Sequence, residues 1–317
     1  MRYIETTNGR KRLPAMTLGT VQLGLDYGIA NREGKPDREK SFAMLRAALA
    51  EGVDAWDSAR AYGDSELVLG DFLAEEWQGE VPILITKCKL SAPETATEKE
   101  VEAEITNSVE SSLARLRVDG VDYLLLHQAS DMERYGSIVP RTLEKLMKKG
   151  YFTSPGVSVY YGDEIDVMLR FPLYRAIQIP MGVLDQRLLQ RGHLERLRRQ
   201  GVDVFVRSVF QQGLCFMEEA SMEEELRLCA AGPVKKLCAL AERANMTVAQ
   251  FSVSFVRDLP GVSSLVLGAD NPAQVAENAA LISGPEIPED IVDEALSTFG
   301  DVDYEGIMTV LRRGRGQ

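Results

Sequence analysis

Four side chains in this sequence have the means to move a proton onto an oxygen. Asp57, Lys87 and His127 each fall at the end of a short apolar run, in Asp54-Ala55-Trp56-Asp57, after Val81 to Thr86 and after Val121 to Leu126. Tyr62 lies just past the first of these, in Ala59-Arg60-Ala61-Tyr62-Gly63. A phenol with an ordinary pKa of about 10 is a poor donor at neutral pH. A lysine ammonium beside it stabilises the phenolate and lowers that value. A carboxylate next to the lysine holds it charged and oriented, and a histidine donates a hydrogen bond to a carbonyl oxygen. Together they would polarise and protonate a C=O while hydride arrives at carbon. Side chains supply no hydride, so the group is incomplete without a redox cofactor.

Such residues act only if a scaffold gathers the strand ends. Along the chain, short branched apolar runs alternate with longer amphipathic stretches. Strands are predicted at Ala15 to Thr20, Asp54 to Asp57, Val81 to Thr86, Val121 to Leu126, Gly156 to Val159, Ala176 to Ile179, Val202 to Val206 and Ser264 to Leu267. Helical stretches fall between and after them. Arg38 to Leu49 carries Phe42, Leu45 and Leu49 on one stripe, and Glu66 to Leu73 follows the second strand. Thr97 with Glu100 makes a capping box, and behind it Val101, Ile105, Val109 and Leu113 recur every four residues. Further helices are read at Thr142 to Lys149 (closed by Gly150), Glu164 to Arg170, Arg187 to Arg199, Val234 to Phe255 and Ala273 to Leu281.

Eight strand–helix units predict an α/β fold, a single (β/α)8 TIM barrel spanning residues 1–317, with its chemistry at the C-terminal strand ends. The alternative, an open doubly wound sheet, lacks a Gly-rich dinucleotide turn after the first strand. Residues 1–13 read as a hairpin around Asn8-Gly9 that caps the barrel floor. Residues 285–317 read as an extension with a helix near Glu289 to Phe299 and a polar tail, disordered at Arg312-Arg313-Gly314-Arg315.

Composition narrows the class. A net charge of −12 disfavours general affinity for nucleic acid. No apolar h-region follows Met1, and no run approaches the ~18 apolar residues of a spanning helix. Cys88, Cys215, Cys229 and Cys238 form no C-x-x-C, so a reduced cytoplasmic setting is expected. The histidines, His127 and His193, lie far apart and show no metal-ligand spacing. The acidic run Met217 to Glu225 and the basic run Arg187 to Arg199 read as solvated faces, the latter over a phosphate site. Cys88 should point away from Lys87 as a buried thiol. Tyr27, Tyr160 and Tyr161 either line a substrate pocket or pack.

The motifs, taken in order, resemble the aldo/keto reductase family. They are Gly19-Thr20 with Leu23-Gly24; Asp57-Ser58-Ala59 with Tyr62-Gly63-Asp64-Ser65-Glu66 and Leu69-Gly70; Ile85-Thr86-Lys87; Tyr123-Leu124-Leu125-Leu126-His127; Gly156-Val157-Ser158; and Gly268-Ala269, Asn271-Pro272, Gln274-Val275 and Glu277-Asn278. The match runs from about residue 14 to 281. The resemblance implies a (β/α)8 barrel that reduces aldehydes or ketones, possibly sugar-derived, with NAD(P)H. It places the family's tetrad on Tyr62 as general acid, Lys87 as its pKa partner, Asp57 as the orienter of Lys87 and His127 as the carbonyl-positioning donor. It puts the nicotinamide amide on Ser158 and Gln178, the adenine on Glu277 and Asn278, and further cofactor contacts on Gly19, Thr20, Arg207, Ser208, Gly268 and Gln274.

Departures from the pattern matter too. Val159 stands where an asparagine usually follows the matched serine, and Arg207 stands where an aromatic residue usually stacks under the nicotinamide. A guanidinium plane also stacks on a ring. Gly268 and Gln274 replace cations found in many NADPH-preferring members, and Asp270 adds a negative charge, so NADH is open beside the family's NADPH.

Singly, Lys87 with Asp57 reads as a structural ion pair, Tyr62 as a packed aromatic and His127 as a satisfied core histidine. Their joint occurrence in family order favours the catalytic reading. Two other functions compete. One is a nucleotide-sensing regulatory barrel that binds NAD(P)H and a protein partner with little turnover. The other is a Schiff-base lyase with Lys87 as nucleophile, disfavoured because the neighbouring carboxylate keeps Lys87 protonated.

Overall fold

Alternation of side chains along eight short strands decides which residues face the middle of the molecule. The computed structural model describes residues 1–6, 12–27 and 34–313. Its strands are β1 (Tyr3–Glu5), β2 (Arg12–Pro14), β3 (Met16–Gly19), β4 (Ala55–Asp57), β5 (Ile83–Cys88), β6 (Val121–Leu126), β7 (Phe152–Ser158), β8 (Ala176–Pro180), β9 (Asp203–Arg207) and β10 (Ser264–Gly268). Strands β3 to β10 run parallel and close on themselves in chain order, β10 pairing with both β9 and β3. The closed ring leaves no free edge, so the (β/α)8 barrel holds and the doubly wound alternative falls.

One side of each strand fills the barrel. Ala55, Ile83, Ile85, Tyr123, Leu125, Ala176 and Phe205 form an interior cluster. Their sequence neighbours Trp56, Leu84, Leu124, Val157, Ile177 and Val204 point outward, into a larger layer with helix residues such as Phe42, Phe72, Ile105 and Leu143. A period of two along the strands and one near 3.6 along the helices therefore meet at the outer face of the sheet. The interior also holds polar pairs: the Tyr123 hydroxyl donates to Asp203 Oδ2 at 2.8 Å, and Thr17 and Ser264 share a hydroxyl hydrogen bond at 2.8 Å.

The expected hairpin is present as antiparallel β1 and β2, with Ile4 opposite Leu13. Leu13 is fully buried within the interior cluster, so the hairpin plugs the floor. Its Asn8-Gly9 turn lies outside the described residues.

The helices follow their signals with some shifts. The Thr97 capping box is formed, both partners present, and starts the helix Glu98–Leu116. Asp37 caps Arg38–Ala50 by accepting from Lys40 N at 2.8 Å. Val81 is exposed rather than part of a buried strand, because β5 starts after Pro82, which has no N–H for a ladder. The helix before β7 is Ile138–Lys148, earlier than expected. The stretch Val234 to Phe255 is two helices, Glu224–Arg243 and Val248–Arg257. Arg187 to Arg199 divides into Arg187–Gln190 and His193–Arg199, and four of its five arginines face carboxylates: Arg187 on Asp185, Arg196 on Asp166, and Arg198 and Arg199 on Glu195.

The largest correction concerns the C-terminus. Beyond the expected helix Glu289–Phe299, the supposed polar tail forms another helix, Tyr304–Arg313. Tyr304, Ile307, Met308 and Leu311 are buried, spaced i, i+3, i+4, i+7. Glu305, Gly306 and Thr309 between them, with the arginines that follow, mask the stripe from a reading by composition. Residues 314–317 lie outside the described residues. Among the described residues, no helix is long and apolar enough to cross a membrane.

Candidate active site

The C-terminal ends of β4, β5 and β6 bring Asp57, Lys87 and His127 to one mouth, and the loop after β4 carries Tyr62 over it. Lys87 is 1% exposed. Its Nζ donates to both Asp57 oxygens at 2.7 Å and to Ser58 O at 2.8 Å. The same nitrogen stands 3.4 Å from Tyr62 Oη and 4.8 Å from the Tyr62 ring centroid. Tyr62 and His127 meet edge to face, with centroids 5.7 Å apart.

The charge states follow from burial and neighbours. Burial alone would lower the Lys87 pKa, but Asp57 and Tyr62 outweigh it and hold the value above that of an ordinary lysine. A permanently charged Lys87 is no Schiff-base nucleophile. Burial raises the Tyr62 pKa, and the opposing pull of Lys87 and Arg207 does not cancel it. The phenol is thus a proton carrier at neutral pH, contrary to the expectation that Lys87 lowers its pKa overall. Burial, then the cations Lys87, Lys89 and Arg207, lower the His127 pKa to about 4. A neutral imidazole has one N–H. Nδ1 is buried with no partner, so placing the proton on Nε2 avoids an unsatisfied donor.

The loop that carries Tyr62 is held by groups whose bracing role the sequence did not show, and by Arg115, which sequence reasoning missed. The Thr20 hydroxyl donates to Asp57 O at 2.9 Å and shares a hydrogen bond with Ser65 Oγ at 2.7 Å, and Ser58 and Ser65 share another at 2.9 Å. Arg115, from the helix Glu98–Leu116, donates to Gly63 O at 2.5 Å and lies 3.4 Å from buried Glu66. Glu66 accepts in turn from Thr86 Oγ1 at 2.6 Å, beside Lys87. Gly24 lets the backbone approach, since a Cβ there would lie 1.8 Å from Tyr62 O, and Gly63 turns the chain at φ +54°. The only sequence signals were the glycines and small hydroxyl residues already in the motif; Arg115, about 50 residues away on a helix, left none.

The other expected contacts divide. Ser158 and Gln178 stand opposite each other in the β7–β8 register, both buried. Gln178 Nε2 donates to Asp57 Oδ1 at 3.0 Å, so Gln178 also braces the Lys87–Asp57 pair. Thr20 is enclosed, its hydroxyl engaged within the protein, which makes it a brace of the Tyr62 loop. Gly19 pairs with both Asp57 and Gly268 across the neighbouring strands. Arg207 lays its guanidinium over Tyr160, 4.3 Å from the centroid, and donates to Val159 O at 3.2 Å. Ser208 after it has φ 63°, as Gln211 and Gln212 have positive φ, a conformation that costs energy outside glycine.

The Gly268 to Asn278 segment is tied to itself. Asn278 Nδ2 donates to Gly268 O at 3.0 Å, Asp270 N donates to Gln274 Oε1 at 2.8 Å, and Asn271 caps the helix Pro272–Ile282. Glu277 is exposed. Cys88 is a buried thiol as expected, pushed up to about 11 by burial. Tyr160 and Tyr161 are about half exposed after β7, outside the core, each with an arginine over its ring, Arg207 and Arg187; Tyr27 is exposed as well.

A parallel (β/α)8 barrel with an Asp–Tyr–Lys–His group at its C-terminal mouth defines the class of protein. A family model described as the aldo/keto reductase family matches residues 15–295, and the chain belongs to that family. Aldo-keto reductase YhdN of Bacillus subtilis (strain 168) is 25% identical over 263 residues, covering 76% of this chain and 78% of the relative. Among solved structures, the holo form of aldo-keto reductase AKR11C1 from Bacillus halodurans matches with a TM-score of 0.75 at 18% identity, covering 94% of this chain and 96% of that one. The glycerol dehydrogenase AKR11B4 from Gluconobacter oxydans matches with a TM-score of 0.72 at 24% identity, covering 94% and 95%. At these identities the structural matches speak for the fold.

Proposed function

We propose that this chain reduces an aldehyde or ketone to the alcohol with NADH or NADPH. The observation that carries the reading is Lys87 Nζ, clasped by both Asp57 oxygens and standing 3.4 Å from the Tyr62 hydroxyl. A reduced nicotinamide, when bound, supplies hydride to the carbonyl carbon. Tyr62 Oη gives its proton to the carbonyl oxygen, and the O–H bond of the tyrosine breaks. Lys87 stabilises the phenolate left behind, which takes its next proton from solvent. Neutral His127 donates from Nε2 to the carbonyl oxygen and holds it in place.

The residues present fit a nicotinamide amide. Gln178 gives its Nε2 to Asp57, leaving Oε1 as an acceptor, and Ser158 beside it offers a hydroxyl. Glu277 and Asn278 would meet the adenine, with Gly268 and Gln274 in the segment toward the 2′ position. Between residues 268 and 278 there is no lysine or arginine, while Asp270 and Glu277 are acidic. That balance favours NADH over a cofactor bearing a 2′-phosphate.

The test is loss of reduced-nicotinamide absorbance against a panel of aldehydes, ketones and sugars, with NADH and NADPH in parallel. Turnover that falls by about 100-fold or more in Tyr62→Phe supports the reading. Turnover that survives in Tyr62→Phe removes it, and cofactor binding without turnover on any carbonyl transfers the case to a nucleotide-sensing role.

A further inference from the structure

Side-chain alternation sets one layer of residues across the top of the barrel. Ala55, Ile85, Leu125, Ala176 and Phe205 face the interior. Two residues further along, Asp57, Lys87, His127, Gln178 and Arg207 continue the same face to the mouth. Arg207 ends β9, opposite Pro180 in the β8–β9 register and so two residues past Gln178. Its Nη2 donates to Val159 O at 3.2 Å, and Val159 directly follows Ser158. Arg207 therefore stands in the corner of Ser158 and Gln178, the pair that fits a nicotinamide amide. Its charge also bears on Tyr62 and His127.

The formal charges of this layer are Asp57, Lys87 and Arg207. Asp57 and Lys87 cancel within one ion pair at 2.7 Å. Arg207 is partly buried, yet it has no carboxylate within ion-pair distance among the described residues. Its partners there are neutral: the Tyr160 ring, Val159 O and the Ser208 hydroxyl, 3.5 Å from Nη1. Glu164, on the loop with Tyr160, accepts from Tyr160 N and Tyr161 N instead, at 2.6 and 2.9 Å. Other arginines drawn in from solvent do meet a carboxylate: Arg115 lies against Glu66, Arg187 against Asp185 and Arg257 against Asp258. His127 is neutral at pH 7 and Tyr62 holds its proton. The layer thus keeps one net positive charge, fixed in place by Tyr160 and Val159.

A nicotinamide ring changes charge in the reaction. It is neutral in the reduced cofactor and positive once its hydride has left. A fixed, unpaired cation in a partly buried site repels only the second form. Building on the reductase reading, we propose that Arg207 selects the redox state of the cofactor, favouring the reduced nicotinamide and weakening the hold on the oxidised one. Arg207 makes and breaks no bond: hydride passes from the nicotinamide to the carbonyl carbon, and the proton comes from Tyr62. The equilibrium between free reactants and products is unchanged. What shifts is which nucleotide occupies the protein, so the chain works as a reductase with little obstruction by its oxidised product.

The experiment is titration calorimetry of the protein with NADH, NAD+, NADPH and NADP+, with no carbonyl compound present. The readout is the ratio of dissociation constants, oxidised over reduced, within each nucleotide pair. The native protein should bind the reduced form at least about 10-fold more tightly. Arg207→Met should bring the ratio to within about threefold of one, while Arg207→Lys, which keeps the charge, should retain most of it. Because each ratio is taken within one protein, partial loss of folded material cancels. A native ratio near one, with carbonyl turnover intact, overturns the proposal and leaves the reductase reading standing; it needs no variant to fold. Equal weakening of both forms in Arg207→Met, or loss of all binding, assigns Arg207 to anchoring a part common to both nucleotides and overturns it as well. A ratio lost in Arg207→Lys overturns the argument from charge. Binding of neither nucleotide by the native protein overturns the reading beneath it.

Discussion

Two buried ion-and-hydroxyl groups occupy the same barrel, and they do opposite things. At the mouth, Lys87 is clasped by Asp57 and Gln178 braces that carboxylate, but Tyr62 and His127 beside them are only partly buried. Toward the floor, Tyr123 donates to Asp203, both almost wholly buried, under the plug made by Leu13. Burial raises the pKa of both tyrosines, but Asp203 adds to the shift at Tyr123, whereas Lys87 and Arg207 oppose it at Tyr62. A tyrosine with a carboxylate neighbour keeps its proton; one with an ammonium neighbour can give it up once charge develops on the oxygen. The type of partner and the degree of burial separate the proton donor proposed at Tyr62 from the structural hydrogen bond at Tyr123.

The comparison can be broken at either end. The largest effect is expected at Lys87→Met, which leaves Asp57 buried without its cation. Such a loss costs about 3–5 kcal/mol in stability, and turnover should drop with it; urea unfolding together with the carbonyl assay reads both. Leu13→Ala opens the floor plug and should cost about 2–5 kcal/mol with kcat retained in the folded fraction. A matching loss of kcat would show that the floor reaches the mouth.

Acid should act on the mouth through His127. Its folded pKa is about 4, against about 6.5 in an unfolded chain. Between those values the unfolded chain binds more protons, so stability falls as pH drops from about 6.5 to about 4, by no more than about 3 kcal/mol. Thermal melts over this range should show a shallower slope in His127→Gln than in the native protein; identical slopes would assign the acid sensitivity elsewhere. The smallest effect is expected at Tyr123→Phe, about 1–3 kcal/mol for removing one donor from a buried carboxylate, with turnover unchanged.

Much of the site was legible because its residues sit at strand ends that hydrophobic patterning exposes. Asp57, Lys87 and His127 each close an apolar run, and Tyr62 follows at a fixed distance through a loop of small residues. The Thr97 capping box and the Glu289–Phe299 helix were readable for the same local reason. The clamp from Arg115 to Gly63 and Glu66 was not, because it joins a helix surface to a loop about 50 residues away. Tyr304–Arg313 was overlooked because Glu305, Gly306 and Thr309 interrupt a stripe that becomes continuous only when wound at 3.6 residues per turn.

The sequence by itself determined the eight alternating units, the identity of the candidate proton-handling residues and their chain order, since period, caps and residue type are local properties. Only the tertiary structure decided the rest: that Gln178 turns toward Asp57, that Thr20 braces the Tyr62 loop, and that Arg207 lies on Tyr160. Hydrogen bonds and ion pairs form between whichever groups barrel closure brings within about 3 Å, and closure joins strand ends far apart in the chain.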